Sequence, residues 1–375
     1  MPVITRIALP VVASLALAGC ATSPLANKTA DDAAIYTLQQ SSLDARYNFD
    51  GSLRISDLDI PAELGSLANP DLVKDVARSF SFDMRGAVDM PASRIELVPT
   101  FRFARPNVES WVRVPMLFQL NTLTAWVDAS ALDLALPQLH GKLLKLNAPQ
   151  DKVADIPVDA VMRDLPLIIG AAYSAVDKKA FTFQPLSDSD RQKGASYRIR
   201  LTLDPAAEAQ LGRVMLQEVA ARVKRYSASK EVQAFADKLA EEVAKTQGEM
   251  ASESQTELLV DSRAKLLAME EQRTLRAPKL KGFSVTLRTQ MAMRNHGQPV
   301  FTVLPTAANV LTLDELKAPS WFSRVTGKGE DEESVESAEP EVDAAEAAAP
   351  AEAAPLAPKA KAKAKPRKPK AKKPN

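Results

Sequence analysis

The chain has 375 residues, 46% of them hydrophobic, and a formal net charge of +1; this is ample material for a buried core and gives no overall pull toward nucleic acid. One cysteine and two histidines exclude a disulfide framework and a zinc site of thiolate and imidazole ligands. No phosphate loop, Gly-x-Gly-x-x-Gly or Gly-x-Ser-x-Gly elbow is present, so no cofactor is expected.

Residues 1–20 place a cation, Arg6, ahead of an apolar stretch from Ile7 to Leu17, followed by Leu17-Ala18-Gly19-Cys20. A short apolar run with small residues at its end has the shape of an export signal. It is too short for a permanent membrane helix, which needs about 20 apolar residues. Leu17-Ala18-Gly19-Cys20 resembles a bacterial lipobox. That resemblance implies removal of residues 1–19, a diacylglyceryl thioether on Cys20, and a soluble body held to the lipid bilayer by acyl chains. Lipoproteins of two-membrane bacteria that lack Asp at the next position are carried to the outer membrane. Ala21 stands there, so the resemblance implies an envelope protein facing the periplasm. Residues 20–45, small and polar at first, are predicted to be the lipidated cysteine and a flexible spacer.

From Tyr47 onward apolar residues recur every second position: Tyr47, Phe49, Gly51, Leu53 and Ile55, then Phe80, Phe82, Met84, Gly86 and Val88. Ile95, Leu97, Phe101 and Phe103 continue the pattern, followed by Val112, Val114, Met116, Phe118 and Leu120, and by Leu123, Ala125 and Val127. Alternation with polar residues describes antiparallel strands with one apolar and one wet face. Between the first two runs, Asn69-Pro70 predicts a capped short helix. Segments 129–180 predict short helices over one side of the sheet. Phe181 and Phe183, then Tyr197, Ile199, Leu201 and Leu203, resume the strands.

Asp204-Pro205 opens a predicted helical region, 205–275, read as three helices. Leu211, Met215, Val219, Val223 and Tyr226 share one face, as do Val232, Phe235, Leu239 and Val243, and Leu258, Leu259, Leu266, Leu267 and Met269 mark the third helix. Phe283, Val285 and Leu287 predict another strand, and Phe301 and Val303 a last one after the turn at Asn295-His296-Gly297. The body is thus predicted over 46–326 as α+β, a large antiparallel sheet, open half-barrel or curved meander, covered by helices. Residues 327–375 are acidic, then Ala/Pro-rich, then Lys-rich. They bury too little apolar surface to fold and are predicted to be disordered.

No catalytic constellation is visible, and the chain is predicted not to be an enzyme. His140 and His296 both precede glycine in turns. Asp57/Asp59 and Asp188/Asp190 are paired carboxylates that would share a face on a strand, although a solvated rim explains such pairs more simply. The broad apolar face is the stronger candidate: Phe49, Leu53, Phe82, Met84, Phe101, Phe103, Met116, Phe118, Ile199, Leu201, Val285 and Met291. It is either a core filled by the helices or a groove for a lipid or acyl group. Burial at about 25 cal/mol per Å² makes a groove of this kind a strong lipid binder without any polar motif. The order and alternation of 45–305 resemble the LolA/LppX group of periplasmic lipid-handling proteins, which implies a half-barrel of antiparallel strands with a helical lid.

Lys359, Lys361, Lys363, Lys365, Arg367, Lys368, Lys370, Lys372 and Lys373 form a basic terminal run. Two readings of it stand: self-screening by the acidic stretch before it, or a tether to an anionic envelope polymer, peptidoglycan or lipopolysaccharide. The second belongs with a scaffolding role in which the helices bind a partner protein. Nucleic acid is not an expected partner outside the cytoplasm.

Overall fold

Alternation becomes sheet wherever the sequence carries it cleanly. The computed structural model describes residues 23–43, 45–61, 69–133, 136–148, 155–246, 250–280 and 282–316, all within one compact unit, Met1–Ala318. In chain order these give α1 (Ala30–Leu43), β1 (Arg46–Asp59), α2 (Pro70–Arg78), β2 (Phe80–Asp89), β3 (Arg94–Arg105), β4 (Val108–Arg113) and β5 (Met116–Gln119). There follow β6 (Thr124–Asp128), β7 (Leu143–Asn147), α3 (Val158–Arg163), α4 (Leu165–Ser174), β8 (Phe181–Gln184), α5 (Asp188–Gln192) and β9 (Tyr197–Leu203). Last come α6 (Pro205–Tyr226), α7 (Lys230–Thr246), β10 (Ala251–Val260), β11 (Leu266–Arg276), β12 (Ser284–Arg294) and β13 (Val310–Thr312).

The fold is α+β. The 13 strands form one open sheet in the order β13-β7-β6-β5-β3-β2-β1-β12-β11-β10-β9-β8, and β4 pairs with β3 beside this path. Every pairing is antiparallel except β13 with β7. Two meanders, β1 to β7 and β8 to β12, are therefore joined edge to edge by β1 and β12. These pair from Asn48↔Arg294 to Asp59↔Ser284, with a bulge between Ile55 and Asp57.

α1, α4 and α6 gather on one face, over the second meander. Leu25, Ala33 and Ala34 from the α1 region close a core with Phe181, Ile199, Leu201, Leu203, Leu258, Val260 and Leu266, and Ala207 and Leu211 of α6 pack against it. α4 lies against α1 at Gly170, where an added Cβ would stand 2.2 Å from Gln39 Nε2. On the opposite face a strap, residues 299–312, crosses the first meander. There Val303 packs with Leu117 and Leu143, flanked by Trp126, Phe301 and Val310.

Caps fix the helix starts that the sequence predicted. The Asn69 side chain accepts from the backbone N–H of Asp71 and Leu72, with Pro70 in the first turn. Asp204 accepts from Ala207 N at 2.8 Å, with Pro205 following it.

Four expectations are corrected. The predicted spacer at 20–45 contains α1, and its alanines are small because they pack closely: Ala33 and Ala34 are buried, as is Leu25 before the helix. The predicted third helix of 205–275 is a β-hairpin: α7 ends at Thr246, and β10 and β11 pair from Ala251↔Arg276 to Val260↔Leu266. Helix-favouring Glu, Gln, Leu and Met residues misled there, because pairing with β9 and β12 overrides a weak local preference. The run from Val112 to Leu120 is divided at Pro115 into β4 and β5, which pair with different stretches of β3. Phe301 and Val303 lie in the strap and not in a strand. The leader, Cys20, Trp321-Phe322 and the tail with its lysines lie outside the described residues.

Candidate functional site

Residues directly opposite in neighbouring strands share a face, so register places each predicted ligand-binding side chain. Phe49 pairs with Gly86, which pairs with Leu97, which pairs with Met116. Leu53 pairs with Phe82, and Phe82 with Phe101. Met84 lies opposite Gly51, Phe103 opposite Phe80, and Phe118 opposite Ile95. Across the β1–β12 junction, Leu58 meets Val285 and Gly51 meets Met291; Met291 meets Met269, Met269 meets Leu258, and Leu258 meets Ile199. Leu201 lies two residues beyond Ile199 on the same strand. All twelve residues therefore occupy one face of the sheet, the face that also carries α1 and α6.

Their surroundings divide them. Ile199 and Leu201 belong to the closed core under α1 and α6. Phe49 is buried because its ring lies across Gly86, where an added Cβ would stand 2.6 Å from Phe49 Cζ and 2.1 Å from the Glu96 carbonyl oxygen. At the other end the face is open. Phe80 and Phe103 stack at 5.0 Å between ring centroids and Phe82 and Phe101 at 4.9 Å, both tilted by 53°. Phe80 is 51% exposed, Phe101 55% and Val112 46%. Leu53, Met84 and Val285 are half-buried around them.

Phe118 lines a separate apolar cleft of about 350 Å³ with Leu120, Leu123, Ala125 and Leu146. Beyond it, α3 borders two more clefts: one of about 380 Å³ against Leu120–Leu123, and one of about 570 Å³ against Leu43, Met90 and Pro166. Both include Asp159 and Arg163. Apolar floor thus continues from the aromatic cluster through Met116 to Phe118, with polar groups at its α3 end.

The opposite face is ionic over β9 and β10. Glu257 accepts from Arg198 Nε and from Arg200 Nη2, each at 2.6 Å, and Arg198 Nη1 donates to Asp190 at 2.8 Å. Burial pushes the Asp190 and Glu257 carboxyls up, but donors outweigh it and hold both below the usual range. For Asp190 these are Ser187 and Arg198; for Glu257 they are Arg200 and Arg198. The buried Glu96 carboxylate accepts from Thr302 N at 2.6 Å, Thr302 Oγ1 at 2.8 Å and Val303 N at 2.7 Å, fixing the strap.

The carboxylate pairs are engaged in ion pairs. Asp57 bonds Arg78 at 2.9 Å and Asp59 bonds Lys74 at 3.3 Å, tying α2 to β1. Asp188 and Asp190 stand in the first turn of α5 and not on a strand; Asp190 closes a capping box with Ser187. His140 is exposed and contacts Asp133 at 3.0 Å. Among the described residues no cluster of three or more His, Cys, Asp or Glu is arranged to hold a metal, and no helix is long and apolar enough to cross a membrane.

Sequence reasoning missed Phe80, Val108 and Val112 as members of the open patch. Phe80 continued the β2 alternation, and Pro106-Asn107 was a readable hairpin turn, with Asn107 at φ 67°.

No family model matches this chain, and no curated protein does. Among solved structures, a bifunctional dehydratase-cyclase domain from ambruticin biosynthesis is 13% identical, with a TM-score of 0.12 over 70% of this chain and 80% of that one. The dehydratase domain of PpsC from Mycobacterium tuberculosis, in complex with C12:1-CoA, is 9% identical, with a TM-score of 0.10 over 71% of this chain and 84% of that one. Scores this low do not describe a shared fold, and neither likeness bears on architecture or chemistry.

Proposed function

We propose that this protein is a non-enzymatic envelope lipoprotein, anchored through acylated Cys20 at the outer membrane, that binds a lipid or acyl group on the open end of its apolar sheet face. The observation that carries this reading is the half-exposed cluster of Phe80, Phe82, Phe101 and Phe103 on a face whose other end is closed by helices. Exposed aromatic area on this scale is costly in water and favours an apolar occupant. Each methylene buried there contributes about 0.8 kcal/mol, so eight give roughly 6 kcal/mol. The anchor rests on Leu17-Ala18-Gly19-Cys20 and the periplasmic side on Ala21.

The test is displacement of an environment-sensitive fluorescent fatty acid from the chain beginning at Ala21, which lacks the acylated cysteine. Phe101→Asp is expected to weaken binding at least about tenfold, since an apolar side chain of this size contributes about 1.5–3 kcal/mol on burial. The far-UV circular dichroism should not change, because Phe101 is exposed. Equal affinity for parent and variant, or native mass spectra of a clean unliganded chain from cells, would defeat the reading.

A further inference from the structure

β4 has one unused side. Ala104 N donates to Ser79 O at 2.9 Å, and Val114 N to Pro99 O at 3.1 Å. Even-numbered residues of β3 therefore bond toward β2 and odd-numbered ones toward β4. By register, Arg105, Phe103 and Phe101 meet Val108, Ser110 and Val112, so these three bond inward. The N–H and C=O groups of Glu109, Trp111 and Arg113 consequently point away from β3, and no second strand pairs with β4 among the described residues. All six β4 residues are exposed. Proteins blunt such edges with charged side chains, Pro or a bulge; β4 reads Val-Glu-Ser-Trp-Val-Arg with no Pro and no bulge, and its two charges are of opposite sign.

We infer that β4 is a homotypic docking edge that pairs antiparallel with β4 of a second copy of this chain. The edge is self-complementary in one register. A two-fold axis requires opposed residues to share a face, and only Glu109, Trp111 and Arg113 are free to exchange bonds. Setting Trp111 opposite its own copy places Glu109 opposite Arg113 on both sides of the axis, giving two ion pairs around stacked indoles. Shifting by one pair instead sets Trp111 against Glu109 or against Arg113, and shifting by two sets Glu109 or Arg113 against itself. Opposite charges facing each other across strands stabilise pairing and like charges oppose it. These side chains project from the face opposite the aromatic cluster, since Trp111 faces Arg102. Arg102 holds Glu109 at 3.5 Å and the Arg113 guanidinium lies 5.3 Å from the Trp111 ring, which keeps both ready on that face. Pairing is independent of lipid binding and leaves the aromatic clusters of the two copies on the same side of one continuous sheet.

Six residues per copy make a small interface of the reversible class, so cysteine cross-linking of the full chain in isolated membranes is the fitting measurement. Directly bonded positions in an antiparallel pair lie about 5.5 Å apart between Cα atoms, within disulfide reach. Trp111→Cys is expected to give a covalent dimer on mild oxidation, well above the parent chain, whose sole cysteine is Cys20. Val112→Cys should not. Glu109→Cys and Arg113→Cys should cross-link when co-expressed and not when alone. Adding Glu109→Arg to Trp111→Cys should lower the yield about tenfold, and adding Arg113→Glu as well should restore it. Equal capture at Trp111→Cys and Val112→Cys, or a yield insensitive to the charge changes, overturns the proposal. Every substituted position is exposed, so loss of the fold does not confuse the outcome.

Discussion

Gly86 and Phe49 share one volume on the sheet: the ring fills the space that any β-carbon at 86 would need, and the Glu96 carbonyl oxygen closes it from β3. Gly86→Ala therefore forces backbone and ring apart, and is expected to destabilise the protein by about 3 kcal/mol. A urea titration should show this as a lowered midpoint at unchanged slope. The carboxylates on the other face make stability depend on pH. Asp190 and Glu257 are both depressed when folded, because hydrogen bonds and charge from Ser187 and the arginines outweigh burial. A depressed folded value means the unfolded chain takes up protons first. The contribution is thus complete above about pH 5 and is lost as pH falls through the ordinary carboxylate range and into the lowered folded values. Urea midpoints should be flat from pH 7 to pH 5 and then fall; Arg198→Met should flatten that fall.

At the scale of elements, the strap shows how a segment without regular pairing is held. Its backbone N–H groups at Thr302 and Val303 are satisfied by one buried carboxylate, Glu96, and Asn48 both donates to Val300 O at 2.7 Å and accepts from Val300 N at 2.9 Å. Glu96→Ala leaves the Val303 N–H buried and unpaired and strips Thr302 of both its bonds, which is expected to cost roughly 3 kcal/mol. Hydrogen exchange at Thr302 and Val303 should rise while that of β10 and β11 does not, since those strands lie at the other end of the sheet. Phe301 and Val303 looked like strand residues because they alternate, yet a buried side-chain partner satisfies the backbone N–H groups of Thr302 and Val303 in place of a neighbouring strand. The hairpin β10–β11 was misread for the converse reason. Leu258, Leu259 and Val260 are all buried, so no alternation survives, and its Glu- and Gln-rich composition carries a helical preference that long-range pairing overrides. Asp261 held the missed signal: its carboxylate accepts from Arg263 N and Lys265 N, each at 2.8 Å, and turns the chain.

For the molecule as a whole, the proposed lipid binding rests on unequal coverage of one face. α1 and α6 close it over β9–β11, while the aromatic pairs of β2 and β3 stay open. The proposed membrane attachment rests elsewhere, on the leader. Cys20→Ser is expected to abolish metabolic palmitate labelling and to block maturation of the leader; a variant that still labels would remove the lipoprotein reading. One acyl chain alone holds a protein only marginally, and two or three are needed for durable anchoring.

Local periodicity determined β1, β2, β3, β9 and β12, the cap at Asn69, the start of α6 at Asp204 and the membership of twelve residues on one apolar face, because each of these is written in spacing within a single segment. Tertiary structure alone decided which part of that face is core. Ile199 and Phe101 follow the same alternation, and only the docking of α1 and α6 makes one buried and the other exposed. It also decided that Ala33 and Ala34 are interior and not spacer, since a small residue is equally suited to a flexible linker and to the close approach of two elements.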